Sequence, residues 1–169
     1  AAHRAARAID PGPLVARLSP AQIAMLGQTM QTHRHYERAV ALLEAALRHV
    51  YSDELQYALG GSYFGDEKYE EAQATYVRGA QATKDASQKA TFLWHAARAA
   101  QLRGDDATGE NLMTRTIAVK GNFPSRKAAL RQRLRTRMKQ GRVREAASDL
   151  ALIRRIAGNE RSVLDGALA

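Results

Sequence analysis

The sequence predicts an all-α solenoid of about four stacked helical hairpins, and three observations lead there. Hydrophobic residues make up 45% of the 169 residues, but aromatics only 6%. Ala and Leu therefore supply much of the core, which favours closely packed helices over a sheet rich in Val, Ile and aromatics. Second, two stretches align without a gap: Ile23-Ala24-Met25-Leu26-Gly27 followed by Tyr36-Glu37-Arg38-Ala39, and Gln56-Tyr57-Ala58-Leu59-Gly60 followed by Tyr69-Glu70-Glu71-Ala72. Third, caps and breakers fall where that register needs helix ends.

Residues 1–18 read as a basic segment and linker, with a short helix over Ala2 to Ile9 that Asp10-Pro11-Gly12-Pro13 ends. Ser19-Pro20 then offers an N-cap and a Pro at the first helical position, Ser52-Asp53-Glu54 a cap with acids behind it, and Pro124-Ser125 a further helix start. Arg103-Gly104-Asp105 and Gln140-Gly141-Arg142 supply tight turns. The expected helices span about 20 to 33, 36 to 49, 53 to 65, 69 to 82, 87 to 103, 106 to 119, 125 to 140 and 143 to 157. They pair into repeats of about 19–51, 52–85, 86–122 and 123–159. After Gly158-Asn159, residues 160–169 read as the start of a further or capping helix.

Two weaker copies follow the first two. One runs through Leu93, Ala96-Ala97 and Ala100 to Gly109 and Met113, the other through Leu130, Leu134 and Arg137 to Ala146 and Leu150. Small residues at Gly27, Gly60 and Ala97, facing Ala39, Ala72, Gly109 and Ala146, let paired helices approach closely. This pattern resembles the tetratricopeptide repeat (TPR) family. Gln56, Arg133 and Arg137 depart from it, standing where large apolar residues are usual.

The resemblance implies a right-handed α-α superhelix whose first helices line a concave groove holding an extended peptide or a partner helix. Residues one position after the pattern's large, Leu-Gly and aromatic sites share one face. They are Ala24, Gln28 and Gln31 in the first repeat, and Tyr57, Gly61 and Phe64 in the second. The third contributes Trp94, Arg98 and Gln101, and the fourth Arg131, Arg135 and Met138, with Lys139 beside them. Partner contact is therefore assigned to Tyr57, Phe64, Trp94, Arg98, Gln101, Arg131, Arg135, Met138 and Lys139, Trp94 foremost. The aromatics have a second reading, as packing between hairpins. A family subset that clamps acidic C-terminal tails with Lys and Asn is disfavoured, because Ala24 and Gln28 occupy the matching positions.

The net charge of +9 is unevenly placed. Residues 1–125 hold 14 Lys/Arg against 13 Asp/Glu, and residues 126–161 hold 12 against 3. That stretch is the candidate surface for an acidic partner, or alternatively for a polyanion such as nucleic acid, acidic glycan or a lipid surface. It lacks interleaved aromatics and matches no familiar nucleic-acid module, which ranks nucleic acid below a protein or peptide.

No enzyme class is favoured. Gly60-Gly61-Ser62-Tyr63-Phe64-Gly65-Asp66 has neither the Lys and Ser/Thr of a phosphate loop nor a nucleophile elbow. His33 and His35 sit at a turn without a third ligand, and Cys is absent, so neither a metal nor another cofactor is expected. No apolar run reaches the roughly 18 to 20 residues of a membrane span. The expectation is a soluble chain, with cytoplasm and bacterial periplasm both compatible. It is a non-catalytic scaffold within a larger bacterial assembly, secretion or envelope protein, or an accessory domain of a larger enzyme such as a peptidoglycan-cleaving one. An uncapped apolar end would also favour a homodimer.

Overall fold

The computed structural model describes residues 11–121 and 123–167, with side chains placed up to Ala157. These residues contain helices and no strand. The helices are α1 (Gly12–Val15), α2 (Pro20–Thr32), α3 (Tyr36–His49), α4 (Asp53–Gly65), α5 (Tyr69–Ala82), α6 (Ala86–Leu102), α7 (Asp106–Ala118), α8 (Pro124–Lys139) and α9 (Val143–Ala167). From α2 to α8 they begin and end within one residue of the expected positions. At the C-terminal end the expectation is corrected. α9 runs unbroken through Gly158-Asn159, so no separate helix begins at Glu160. Gly and Asn weaken a helix, but both keep the backbone donor that a Pro would remove. The helix expected over Ala2 to Ile9 lies outside the described residues.

The four hairpins turn in the same way. Within residues 33–35, 66–68, 103–105 and 140–142 the middle residue is left-handed, with φ of 60° at Arg34, 60° at Glu67, 87° at Gly104 and 70° at Gly141. The following amide reaches back to close each helix: His35 to the Met30 carbonyl at 2.8 Å, and Lys68 to Tyr63, Asp105 to Ala100 and Arg142 to Arg137, each at 2.9 Å. This is the six-to-one bond of a Schellman end. Glycine takes that conformation freely, whereas Arg34 and Glu67 adopt it against a steric penalty.

Each helix from α2 onward packs against its sequence neighbours, and α2, α4, α6 and α8 also touch one another in order. One layer is thus continuous, and α3, α5, α7 and α9 lie against it. Close approach depends on missing side chains. A methyl group at Gly27 would stand 2.9 Å from Leu43, one at Gly60 2.5 Å from the Tyr76 ring, and one at Gly79 2.6 Å from Phe92. Ala39, Ala72 and Ala146 are buried on the facing helices. Gln56 tolerates its interior position because its Nε2 donates to the Thr75 carbonyl at 2.8 Å.

The fourth hairpin follows a different rule. Leu43, Tyr76 and Met113 are buried, but Leu150, their counterpart in the register, is 39% exposed, and Asp149 is buried in its stead. At the register position of Gly27 and Gly60, α8 carries the half-buried Leu134 in place of a small residue. Among the described residues, no helix is long and apolar enough to cross a membrane.

Glu67→Gly is expected to stabilise the chain and Gly104→Ala to destabilise it, each by about 1 kcal/mol. Apart from its two chain neighbours, no residue comes within 4 Å of a Cβ built on Gly104, so its loss measures backbone strain. Urea unfolding midpoints check both, and shifts of the same sign would contradict the shared turn.

Candidate binding cleft

α6 and α8 lie side by side and enclose a cleft of about 420 Å³. One wall carries Trp94, Arg98, Gln101 and Leu102 from α6, with Asp106 from the start of α7. Gln132, Thr136, Lys139 and Gln140 form the other. Hydrogen bonds hold the walls in register. Gln101 Nε2 donates to Thr136 Oγ1 at 3.3 Å, Gln132 Nε2 donates to Gln101 Oε1 at 3.4 Å, and the Thr91 and Ser125 hydroxyls lie 3.1 Å apart. Trp94 is half-buried, and Leu102 is 54% exposed.

Four of the nine assigned contact residues therefore meet in one place: Trp94, Arg98, Gln101 and Lys139. Arg131, Arg135 and Met138 are exposed but do not line the cleft. The α8 face that enters it is the adjoining Gln132, Thr136 and Lys139 row, spaced i, i+4 and i+7, fixed there by Gln101. Nothing in the sequence marked that one-position offset. It follows from the rotation of α8 against α6.

The two earlier aromatics lie upstream. Tyr57 packs between the second and third hairpins, its ring centroid 5.9 Å from that of Tyr76, 6.2 Å from Phe92 and 5.2 Å from His95. Its hydroxyl lies 3.0 Å from His95 Nε2. Of its two readings, the interhairpin one describes this placement. Phe64 stacks edge-on against Tyr69 and lies under the Arg98 guanidinium, 5.2 Å from ring centroid to Cζ. That cation–π contact steadies Arg98 beside the cleft. In the first repeat, Ala24 is buried, and Gln31 Nε2 donates to the Ala58 carbonyl at 2.7 Å and to Ser62 Oγ at 2.9 Å, so it joins α2 to α4.

Four of the arginines in the basic stretch, Arg126, Arg133, Arg137 and Arg142, have partners within the fold. Arg133 Nη2 and Nε donate to the two carboxylate oxygens of Asp149 at 2.6 and 3.2 Å. Arg137 donates to Glu110 at 2.9 Å and to Asp149 at 3.1 Å. Arg142 meets both Glu110 and Glu145 at 2.5 Å. Hydrogen bonding to Arg142, reinforced by Arg137 and opposed by burial, holds the Glu110 carboxyl below its ordinary range. Arg126 donates to the Ile117 and Gly121 carbonyls at 2.8 Å and so caps the end of α7. Arg131, Arg135, Lys139, Arg144, Arg154 and Arg155 are exposed and carry no ion pair among the described residues.

Glu110, which pairs with Arg137 and Arg142, comes from the preceding repeat, outside the basic stretch. His33 and His35 lie with ring centroids 6.5 Å apart, and among the described residues no three His, Asp or Glu side chains gather as a metal site would require. Comparison with protein-family models, curated proteins and solved structures gave no match.

Burial, with Arg98 adding to it, pushes the His95 imidazole down from 6.5 to about 4. The unfolded chain therefore takes up a proton first as pH falls. Stability is fully present above pH 6.5 and is lost as pH drops towards about 4. The expected loss is on the order of 3 kcal/mol. Urea unfolding across that range checks it. His95→Gln should lose this component, and parallel profiles for the two proteins would contradict the buried neutral histidine.

Proposed function

We propose that the chain is a non-catalytic interaction scaffold of tetratricopeptide type, a right-handed α-α superhelix whose inner cleft holds an extended peptide or a partner helix. The identical left-handed turn at Arg34, Glu67, Gly104 and Gly141 supports the repeat reading, as do the small residues that receive Leu43 and Tyr76. The binding reading rests on one observation above all, the convergence of Trp94, Arg98, Gln101 and Lys139 on a single open cleft.

The chemistry of the cleft describes its ligand. Trp94 offers a large apolar surface at low entropic cost, and two cations stand on opposite walls, Arg98 on α6 and Lys139 on α8. The amides of Gln101, Gln132 and Gln140 are suited to backbone groups. An extended segment with an apolar side chain beside an acidic one fits this set. The polyanion alternative would rest on the remaining exposed cations such as Arg131, Arg135 and Arg144, since Arg133, Arg137 and Arg142 are already paired with acids of the fold.

Affinity capture from a lysate at low and moderate salt, with mass spectrometry, tests the proposal. Trp94→Ala and the double charge reversal Arg98→Glu with Lys139→Glu should each abolish capture of the same partner while the helical circular dichroism persists. Capture that survives both changes would remove the cleft from the binding site.

A further inference from the structure

Among the described residues, no further helix lies on the outer side of the fourth hairpin, and the earlier hairpins show what kind of element such a side receives. α6 lies against α4 and α5, and α8 lies against α6 and α7. On the second hairpin, Tyr57, Tyr76 and Gly79 receive Phe92 and His95 of α6. On the third, Thr91, Gln101 and the Ile117 carbonyl receive Ser125, Thr136 and Arg126 of α8. The second and third hairpins thus each offer a face on which one helix lies.

In the repeat register, the same face of the fourth hairpin carries Arg131, Leu150, Ile153 and Arg154. A depression there is lined by Leu130, Ile153, Ile156 and Ala157, together with Lys127 and Arg131. Leu150 is 39% exposed, and Arg131, Arg154 and Arg155 are exposed without an ion pair among the described residues. The surface places Leu150, Ile153 and Ile156 beside several cations, at the register positions on which the earlier hairpins carry a helix.

We propose that this face docks an acidic amphipathic α-helix of a partner protein. The shape follows from the two equivalent faces that already hold a helix, and the chemistry from charge complementarity. A second copy of this chain fits less well, because two such faces brought together would oppose the Arg131, Arg154 and Arg155 sets. The site lies on the α8–α9 side and is independent of the cleft between α6 and α8.

A labelled synthetic peptide of about 18 residues, with Leu at helical i, i+3, i+4 and i+7 spacing and Glu and Ala elsewhere, is the probe. Fluorescence anisotropy measures its binding to the whole chain, beside a Lys-for-Glu version and polyglutamate. The acidic amphipathic peptide should bind, and both Ile153→Glu and the double change Arg131→Glu with Arg154→Glu should weaken it by at least about tenfold. Trp94→Ala should leave it unchanged. The arginine variant alters only exposed residues, so the test stands even if Ile153→Glu unfolds the chain. Absence of binding, equal binding of the Lys peptide or of polyglutamate, or loss with Trp94→Ala would overturn the proposal. So would a concentration-dependent dimer in sedimentation that the Arg131→Glu and Arg154→Glu change alters, since a second copy would then hold the face.

Discussion

Two arginines one helical turn apart on α8 hold the end of the molecule in place. Arg133 and Arg137 reach between α7 and α9, where Asp149 accepts from both and Glu110 accepts from Arg137. Arg133 also donates to Thr114 Oγ1 at 2.8 Å, so three helices share one hydrogen-bonded unit. Taking such charges out of water costs several kcal/mol per ion, which only good geometry and further hydrogen bonds repay. Here Arg133 meets Asp149 bidentately, and each of its three guanidinium nitrogens donates to a partner. The seating of α8 against α6 creates the cleft, so the candidate site inherits its shape from this network.

The first three hairpins reach the same end by apolar means. Gly27 admits Leu43, Gly60 admits Tyr76 and Gly79 admits Phe92, so steric fit sets the helix spacing there. Tyr57, Tyr76, Phe92 and His95 then form a wedge between the second and third hairpins. From that wedge the sequence leads within one turn of α6 to Trp94 and Arg98, and Phe64 supports Arg98 from below. The cleft thus has one wall fixed by aromatic packing and another fixed by charge. Both walls are preorganised, which lowers the entropic cost of holding a flexible ligand.

The helices were legible in the sequence because local chemistry set their ends. Ser19 and Ser52 accept from the first-turn amides of Gln22 and Leu55, and the turns within the hairpins recur at a fixed place in the register. Trp94, Arg98 and Gln101 were legible as a row because α6 keeps the small-residue pattern at Ala96 and Ala97. The α8 wall was not. Leu134 occupies the place of a small residue, and the helix takes its rotation from Gln101 and from the arginine network, both of which depend on partners distant in sequence. Glu110 lies 27 positions before Arg137 and 32 before Arg142, so no local spacing rule could pair them. The unbroken course of α9 was missed for a simpler reason, since Gly158-Asn159 permits a helix end without imposing one.

Hydrogen exchange resolved by segment, on the unchanged chain and on Asp149→Ala, tests most directly whether charge seats α8 and so forms the cleft. Removing Asp149 strands Arg133 in the interior, at an expected cost of about 3 to 5 kcal/mol. Protection should fall in α8 and α9, and the emission of Trp94, the single tryptophan, should shift towards that of an exposed indole, while α2 to α5 keep their protection. Unchanged protection of α8 and α9, or a uniform loss along the whole chain, would contradict the network as the element on which the cleft depends.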